Sequence, residues 1–343
     1  MYKELMEDSE AAERCLADNA PTLDRLAELY AVARPAVAVL VARGTSLHAA
    51  VFAKYIFEEY IGLPTVIAEP SVVTKYNGKL CLTHSLVVGI SQSGEGADVC
   101  GIVDRGRSCG GLTVAITNND ASRLAQLGSV CLRCCAGKER SVPATRSLAA
   151  QLALILAIAA KLSASTALAE VLQRCPEAFS AGINMQEEVR LSASHFKDMR
   201  NCVVLARGNS CFIAQEWALK LQEACSVRAH AFSASNFLHG PIAMLDGTIP
   251  ALLLAFDEQT DDDIVQIIRR LRQLGTHILV VTNKTALAQE EGVTASLLPA
   301  WCDGLAGALA AVPVIQAFCC ALAFANGLNP DAPAGLNKVT ITK

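Results

Sequence analysis

The chain has 343 residues, which at about 150 residues per domain predicts two domains rather than one. Hydrophobic residues make up 52% and charged residues 18%, a core-rich balance that excludes extended disorder. The formal net charge of −4 excludes a broad basic surface, so nucleic acid is not an expected partner and any bound anion must be held by a few local groups.

Met1 to Asp18 is acidic and polar without the pattern of a signal peptide, which predicts a cytoplasmic chain opening on a helix over 1–30. Short apolar runs then alternate with helical stretches, the mark of βαβ units and a parallel sheet flanked by helices. Strands are expected near 35–41, 64–68, 85–90, 112–116 and 129–133, with helices near 46–60, 94–106 and 120–127. A long apolar helix follows near 144–162. The Ser- and Ala-containing stretch 163–180 is expected to join the domains, and an amphipathic helix follows near 184–198. A second set of strands is expected near 201–206, 228–231, 249–255, 277–281 and 295–298, with helices near 209–225 and 261–273. Leu305 to Ala325 is long and apolar enough to span a membrane. Pro313, Gln316, the many small residues and the lack of a basic flank favour instead a helix buried against a sheet, so no membrane is expected as a partner.

Fourteen cysteines scatter from Cys15 to Cys320, several inside predicted strands or helices (Cys202, Cys319, Cys320), which does not read as a disulfide framework. Cys131 and Cys134 have a zinc-like spacing beside Cys135. No second pair or nearby His completes four ligands, so no metal is expected.

An internal repeat organises the whole pattern. Val37–Ala–Val–Leu–Val–Ala–Arg–Gly–Thr–Ser46 is echoed by Asn201–Cys–Val–Val–Leu–Ala–Arg–Gly–Asn–Ser210, and Gly111–Leu–Thr–Val–Ala–Ile–Thr–Asn118 by Thr276–His–Ile–Leu–Val–Val–Thr–Asn283. The offsets are 164 and 165 residues, which indicates two copies of one α/β domain.

In the first copy, Ser91–Gln–Ser–Gly94 follows an apolar run and precedes a helical pattern, and Thr45–Ser46 stands after the copy's first strand. Ligands in open α/β sheets bind at this edge, where free amides and the helix dipole favour phosphate. Either pair of hydroxyls alone would read as an ordinary helix cap. Two such hydroxyl loops at the ends of neighbouring strands favour a phosphate cradle. The second copy keeps Asn209–Ser210 but has Phe256–Asp–Glu–Gln259 where the Ser-Gln-Ser-Gly stood, an acidic loop that would repel phosphate. It carries other groups. Glu216, Lys220 and Glu223 share one face of a helix, as a surface salt-bridge pair also would. His239 sits in a tight His-Gly-Pro turn, and Lys338 lies in a Pro- and Gly-rich tail of the kind that commonly frays.

Together these segments resemble the sugar isomerase (SIS) family. The anchors are Arg43–Gly–Thr–Ser46, Ser91–Gln–Ser–Gly94, Glu139–Arg–Ser–Val142 with Thr145, Ala214 to Glu223, His239–Gly–Pro241 and Asp331 to Thr340. They are most similar to the SIS-type glucosamine-6-phosphate deaminases and to the isomerase half of glucosamine-6-phosphate synthase. The resemblance implies an α/β fold of two tandem SIS domains, each a parallel sheet flanked by helices in a flavodoxin-like or Rossmann-like three-layer sandwich. It implies a helix over 1–30, one SIS domain over 31–165, a second over 180–328 and a loop over 329–343 that closes on the site.

It also implies roles. Thr45, Ser46, Ser91, Gln92, Ser93, Val142 and Thr145 would contact phosphate and sugar. Glu223 would move a proton between C1 and C2, supported by Glu216 and Lys220. His239 would open the sugar ring, reaching the site from the neighbouring subunit of a homodimer, and Lys338 would close over the sugar and could form a Schiff base with its carbonyl. Gly96, Ala144, Arg146, Asn236 and Leu238 depart from the synthase pattern, which bears on substrate identity more than on reaction class. The chain begins Met-Tyr-Lys-Glu without a preceding nucleophilic-cysteine domain, so glutamine-derived ammonia is not expected from it.

Three functions follow as expectations. The first is isomerising deamination of glucosamine 6-phosphate to fructose 6-phosphate and ammonia, with no cofactor. The second is another SIS enzyme of the same chemistry, either a deaminase of a different amino sugar phosphate or a synthase-like isomerase/aminotransferase running in reverse with free ammonia. The third is a non-catalytic sugar-phosphate sensor, disfavoured because Glu223, His239 and Lys338 are all present.

Overall fold

A computed structural model describes residues 1–338 of the chain. Helices α1 (Tyr2–Leu5) and α2 (Asp8–Ala33) lead into β1 (Val37–Ala42), α3 (Thr45–Ile56), β2 (Thr65–Ile67), α4 (Ser71–Thr74), β3 (Ser85–Ile90), α5 (Ala97–Ser108), β4 (Leu112–Thr117), α6 (Arg123–Leu127) and β5 (Val130–Arg133). Three helices follow: α7 (Arg146–Ser163), α8 (Thr166–Ile183) and α9 (Gln186–Ser194). The pattern then repeats as β6 (Asn201–Ala206), α10 (Cys211–Cys225), β7 (Arg228–Ser233), α11 (Ala234–Leu238), β8 (Ala251–Ala255), α12 (Asp261–Gln273), β9 (Ile278–Thr282), α13 (Thr285–Ala288), β10 (Val293–Leu297) and α14 (Gly304–Ala325).

Two five-stranded sheets result, one ordered β2-β1-β3-β4-β5 and the other β7-β6-β8-β9-β10. Every pairing is parallel. The orders are identical once the second copy is renumbered, so the repeat read from the sequence is a repeat of topology. Strands β3, β4, β8 and β9 are buried along their whole length, as strands covered on both faces must be. On one face of the first sheet, Val39, Val41, Val87 and Ala115 pack with Val99, Ile102 and Val103 of α5 and Leu124 of α6. The matching cluster in the second sheet joins Val203, Leu205, Leu253 and Val280 to Phe237 of α11 and Ile264, Ile268 and Leu271 of α12.

The chain divides into two compact units. The N-terminal unit holds Glu10–Glu139 and Arg146–Gln173; the C-terminal unit holds Met1–Ser9, Arg140–Thr145 and Arg174–Lys338. The stretch 163–180, read as a join, is helical: the division falls inside α8, between Gln173 and Arg174. The helix expected over 1–30 is two helices, α1 and α2, separated at Met6–Glu7. The helix expected over 46–60 ends its α-turns at Ile56 and finishes as a π-turn, Phe57–Ile61, stopped by Gly62 at φ +69°.

Helices α7 and α14 are both long and apolar enough to cross a membrane, yet 78% and 83% of their apolar windows are buried inside the protein. The main neighbours of α14 are α9 and α10, not the sheet that the sequence suggested. The reason is layering: α10 already covers β6 and β7, leaving α14 to pack outside it.

Candidate functional site

In the N-terminal unit the strand order reverses between β1 and β3, and the two hydroxyl loops leave the sheet at that point. Gly44, at φ +55°, turns the chain from β1 into α3, so Thr45 and Ser46 are the first helical residues. Thr45 is half-buried. Ser46 faces inward, where its Oγ accepts a hydrogen bond from Gln151 Nε2 of α7 at 3.1 Å.

The Ser91–Gly94 loop is tied to the end of the neighbouring strand. Ser91 N–H donates to the Ile116 carbonyl at 3.0 Å, and the Gln92 carbonyl accepts from Asn118 N–H at 3.1 Å and from Thr117 Oγ1 at 3.3 Å. Ser91 Oγ accepts from Gly94 N–H at 3.1 Å and Ser93 Oγ from Glu95 N–H at 3.4 Å, which leaves each hydroxyl proton to donate elsewhere. Gly94 has φ +69°, and a Cβ there would run into Ser122 and reach Thr117 Oγ1 at 2.8 Å, so only glycine fits. Helix α5 then begins without a side-chain cap on its first amides, the arrangement that receives an anion.

The segment carrying Val142 and Thr145 belongs to the C-terminal unit. The carboxylate of Glu4 accepts from the amides of Arg140 and Ser141 and from the Ser141 hydroxyl, and Val142 N–H donates to the Asp331 carbonyl at 2.9 Å. The first helix and the C-terminal loop thus hold this segment from two sides, a role that the sequence gives no local sign of. Val142 is half-buried and Thr145 is fully buried.

Helix α10 carries the charged ladder. Lys220 Nζ lies 3.1 Å from Glu216 Oε1 and 2.7 Å from Glu223 Oε2. The Glu216 and Lys220 side chains are 0% exposed, whereas Glu223 is 22% exposed. A lysine and a carboxylate are rarely buried so completely unless paired, so this is no surface salt bridge. Burial pushes the Lys220 pKa down, but the Glu216 and Glu223 carboxylates outweigh it and raise it above the ordinary value. One carboxylate is therefore buried behind the lysine and the other is presented at the surface of the unit.

His239 closes α11 and is exposed; its N–H donates to the Asn236 carbonyl at 3.2 Å, and Pro241 starts a 3-10 turn directly after Gly240. Lys338 is half-buried and is the last described residue, so the expected closing loop over 329–343 lies partly outside the described residues. The acidic loop of the second copy is built from its own carboxylates. Asp257 Oδ1 accepts from Gln259 N–H at 3.0 Å, and Asp261, Asp262 and Asp263 fill the first turn of α12. Negative charge stands there where the N-terminal unit offers hydroxyls. All fourteen cysteines are free thiols. Among the described residues no cluster of His, Cys, Asp and Glu is arranged to hold a metal.

The comparisons with known proteins agree with this geometry. A family model described as the SIS domain matches residues 34–161 and 195–294. A glutamine–fructose-6-phosphate aminotransferase (isomerizing) of Pyrococcus horikoshii is 27% identical over 343 residues, covering 98% of this chain and 57% of the relative. The chain spans about half the length of the curated relatives it matches. The C-terminal domain of a glucosamine-fructose-6-phosphate aminotransferase from Francisella tularensis superposes with a TM-score of 0.85 at 24% identity, covering 96% of this chain and 97% of that one. A glucosamine-6-phosphate deaminase from Thermotoga maritima does so with a TM-score of 0.73 at 20% identity, covering 97% and 100%. The paired sheets, their duplicated strand order and a family match over most of both place the chain in the SIS domain family.

Proposed function

We propose that this chain is a phosphosugar enzyme that isomerises an amino sugar phosphate, and that its reaction is the deamination of glucosamine 6-phosphate to fructose 6-phosphate and ammonia. The observation that carries the reading is the α10 ladder: a partly exposed carboxylate, Glu223, held by a fully buried lysine that is itself backed by Glu216. An open-chain aldose with a C2 amine needs a base that takes the C2 proton and returns it to C1, and a fixed carboxylate serves in both directions. The aldehyde becomes a hydroxymethyl group and the amine a C2 imine, which takes up water and expels ammonia.

In this reading the phosphate lies on the Ser91–Ser93 loop with Thr45 and Ser46, and Gln151 of α7 holds the Ser46 hydroxyl. Val142 and Thr145 contact the sugar, His239 opens the ring from a neighbouring subunit, and Lys338 closes over the substrate. The acidic Asp257–Gln259 loop supports a single phosphate site per chain. A second reading, a synthase-like isomerase, is favoured by the curated relatives, which are isomerising aminotransferases.

Ammonia release from a panel of hexosamine 6-phosphates separates these possibilities. Release from galactosamine 6-phosphate but not glucosamine 6-phosphate overturns the substrate assignment. Interconversion of fructose and glucose 6-phosphates with no ammonia released from glucosamine or galactosamine 6-phosphate supports the second reading. Glu223→Gln keeps size and hydrogen-bonding capacity, so sugar-phosphate affinity should hold while kcat falls by about 10²-fold or more, the scale of a lost general base. Exchange of the C2 hydrogen with solvent should stop. A variant that still turns over at the parental rate removes Glu223 from the reaction.

A further inference from the structure

The loop after the first strand of each sheet carries the same ion pair. In the N-terminal unit Arg43, one residue past β1, donates to Asp98 Oδ2 in the first turn of α5, from Nε at 3.2 Å and Nη2 at 2.8 Å. Thr74 Oγ1, at the end of α4, donates to the other carboxylate oxygen at 3.3 Å. In the C-terminal unit Arg207, one residue past β6, donates from Nε to Asp263 Oδ2 in the first turn of α12 at 2.8 Å. Its Nη1 donates to Ser235 Oγ of α11 at 2.6 Å. Arg43 and Arg207 stand 164 residues apart and Asp98 and Asp263 stand 165 apart, the offsets of the sequence repeat.

One device is therefore present twice: a guanidinium at a strand end grips the helix after the third strand, and a hydroxyl from the short helix after the second strand joins the pair. The two copies differ in what the hydroxyl serves. Thr74 serves the carboxylate. Ser235 is gripped by the arginine itself, and it lies four residues before His239 on the same short helix.

We propose that Arg207 is a positioning residue that sets the His239 turn through Ser235; this rests on the reading of His239 as the ring-opening group. Helix α11 has five residues, too few to hold its own end in place. Ser233 Oγ caps it by accepting from Asn236 N–H at 3.3 Å, and the fully buried Phe237 anchors one side. Ser235 is where a charged group fixes the other. A planar guanidinium satisfies a carboxylate and a hydroxyl at once in a set geometry, which an ammonium does not. The Arg207 and Asp263 side chains are 39% and 48% exposed, so the pair adds little to global stability and its effect is geometric.

The experiment compares Arg207→Lys and Ser235→Ala, alone and combined with His239→Ala. Each single variant should lower kcat about tenfold, the scale of one charge-assisted hydrogen bond, with KM within about twofold. In the His239→Ala background neither should lower kcat further, because both act through the residue already removed. Amide hydrogen exchange over residues 236–239 should quicken about tenfold in both single variants while the melting temperature stays within about 2 °C. Losses that multiply in the His239→Ala background, or exchange that does not change, overturn the positioning role. If His239→Ala keeps full activity, the ring-opening reading falls instead, and the exchange measurement alone decides whether Arg207 fixes the turn.

Discussion

Glu216, Lys220 and Glu223 share one helix face, but exposure separates their roles. Glu216 and Lys220 have no access to solvent, so their charges persist only because they are paired. The raised Lys220 value fixes the sign of the pH dependence: a group whose folded pKa lies above its unfolded one, about 10.4 for lysine, contributes its stabilisation in full below that value. That contribution is lost only as pH climbs through the folded value, so it is intact across the neutral range. Lys220→Met, similar in length but uncharged, should therefore cost about 3–5 kcal/mol, the penalty of breaking a buried ion pair from one side. Urea unfolding at pH 7 measures it, and a loss below about 1 kcal/mol, the range of an exposed pair, would mean that the ladder is not sealed from water. The i, i+4, i+7 spacing was legible but this depth was not, because α14 packs against α10 from about 80 residues further along the chain. The Arg43–Asp98 and Arg207–Asp263 pairs were illegible for the same reason. Each joins residues more than 50 apart, and only the arginines stand inside the repeated motif.

Small residues matter most where two helices meet. Gly182 of α8 lies against α14, and a Cβ there would run into the Ala310 carbonyl oxygen and meet Pro313 Cγ at 2.7 Å. Backbone cannot rotate aside as a side chain can. Gly182→Ala should therefore cost about 1–3 kcal/mol, the usual penalty of overpacking, even though alanine is the better helix former. The check is chemical denaturation, and a stabilised variant would show that α8 and α14 approach less closely than this. Elements whose signal is local were legible: among the described residues, all ten strands lie within a few residues of the apolar runs that predicted them. The elements that differ are those whose signal is mixed. The Ser- and Ala-containing stretch 163–180 does hold the division between the units, between Gln173 and Arg174, but Leu168, Cys175, Ala178 and Phe179 are fully buried there and the division falls inside a helix, α8. Pro313 lies inside α14, which runs through it because burial among other helices outweighs one lost backbone hydrogen bond.

At the scale of the whole molecule, one fold is written twice with different loops. Both sheets keep the strand order and the arginine bolt, while hydroxyl loops remain in one copy and carboxylates have replaced them in the other. A duplicated chain can divide one reaction's tasks among loops that began alike, and it can divide them between subunits as well. His239 is exposed at the end of a short helix, where a side chain is available to a second copy of the chain, whereas Glu223 is braced from within by Lys220. If His239 serves its neighbour's reaction, His239→Ala and Glu223→Gln subunits are each strongly impaired alone but defective in different halves of the same site. Co-refolding them in equal amounts makes about half of the dimers hybrid by random pairing, and each hybrid carries one site with both groups intact and one with neither. Activity should therefore return to about a quarter of the parental value, since half of the dimers would hold one working site of two. Hybrids can be isolated by placing different affinity tags on the two variants, so the measurement needs no assumption about exchange. Isolated hybrids with no activity would mean that each site draws its histidine and its carboxylate from a single chain. The bolt from Arg207 to Ser235 would then serve an intramolecular turn instead of one presented to a partner.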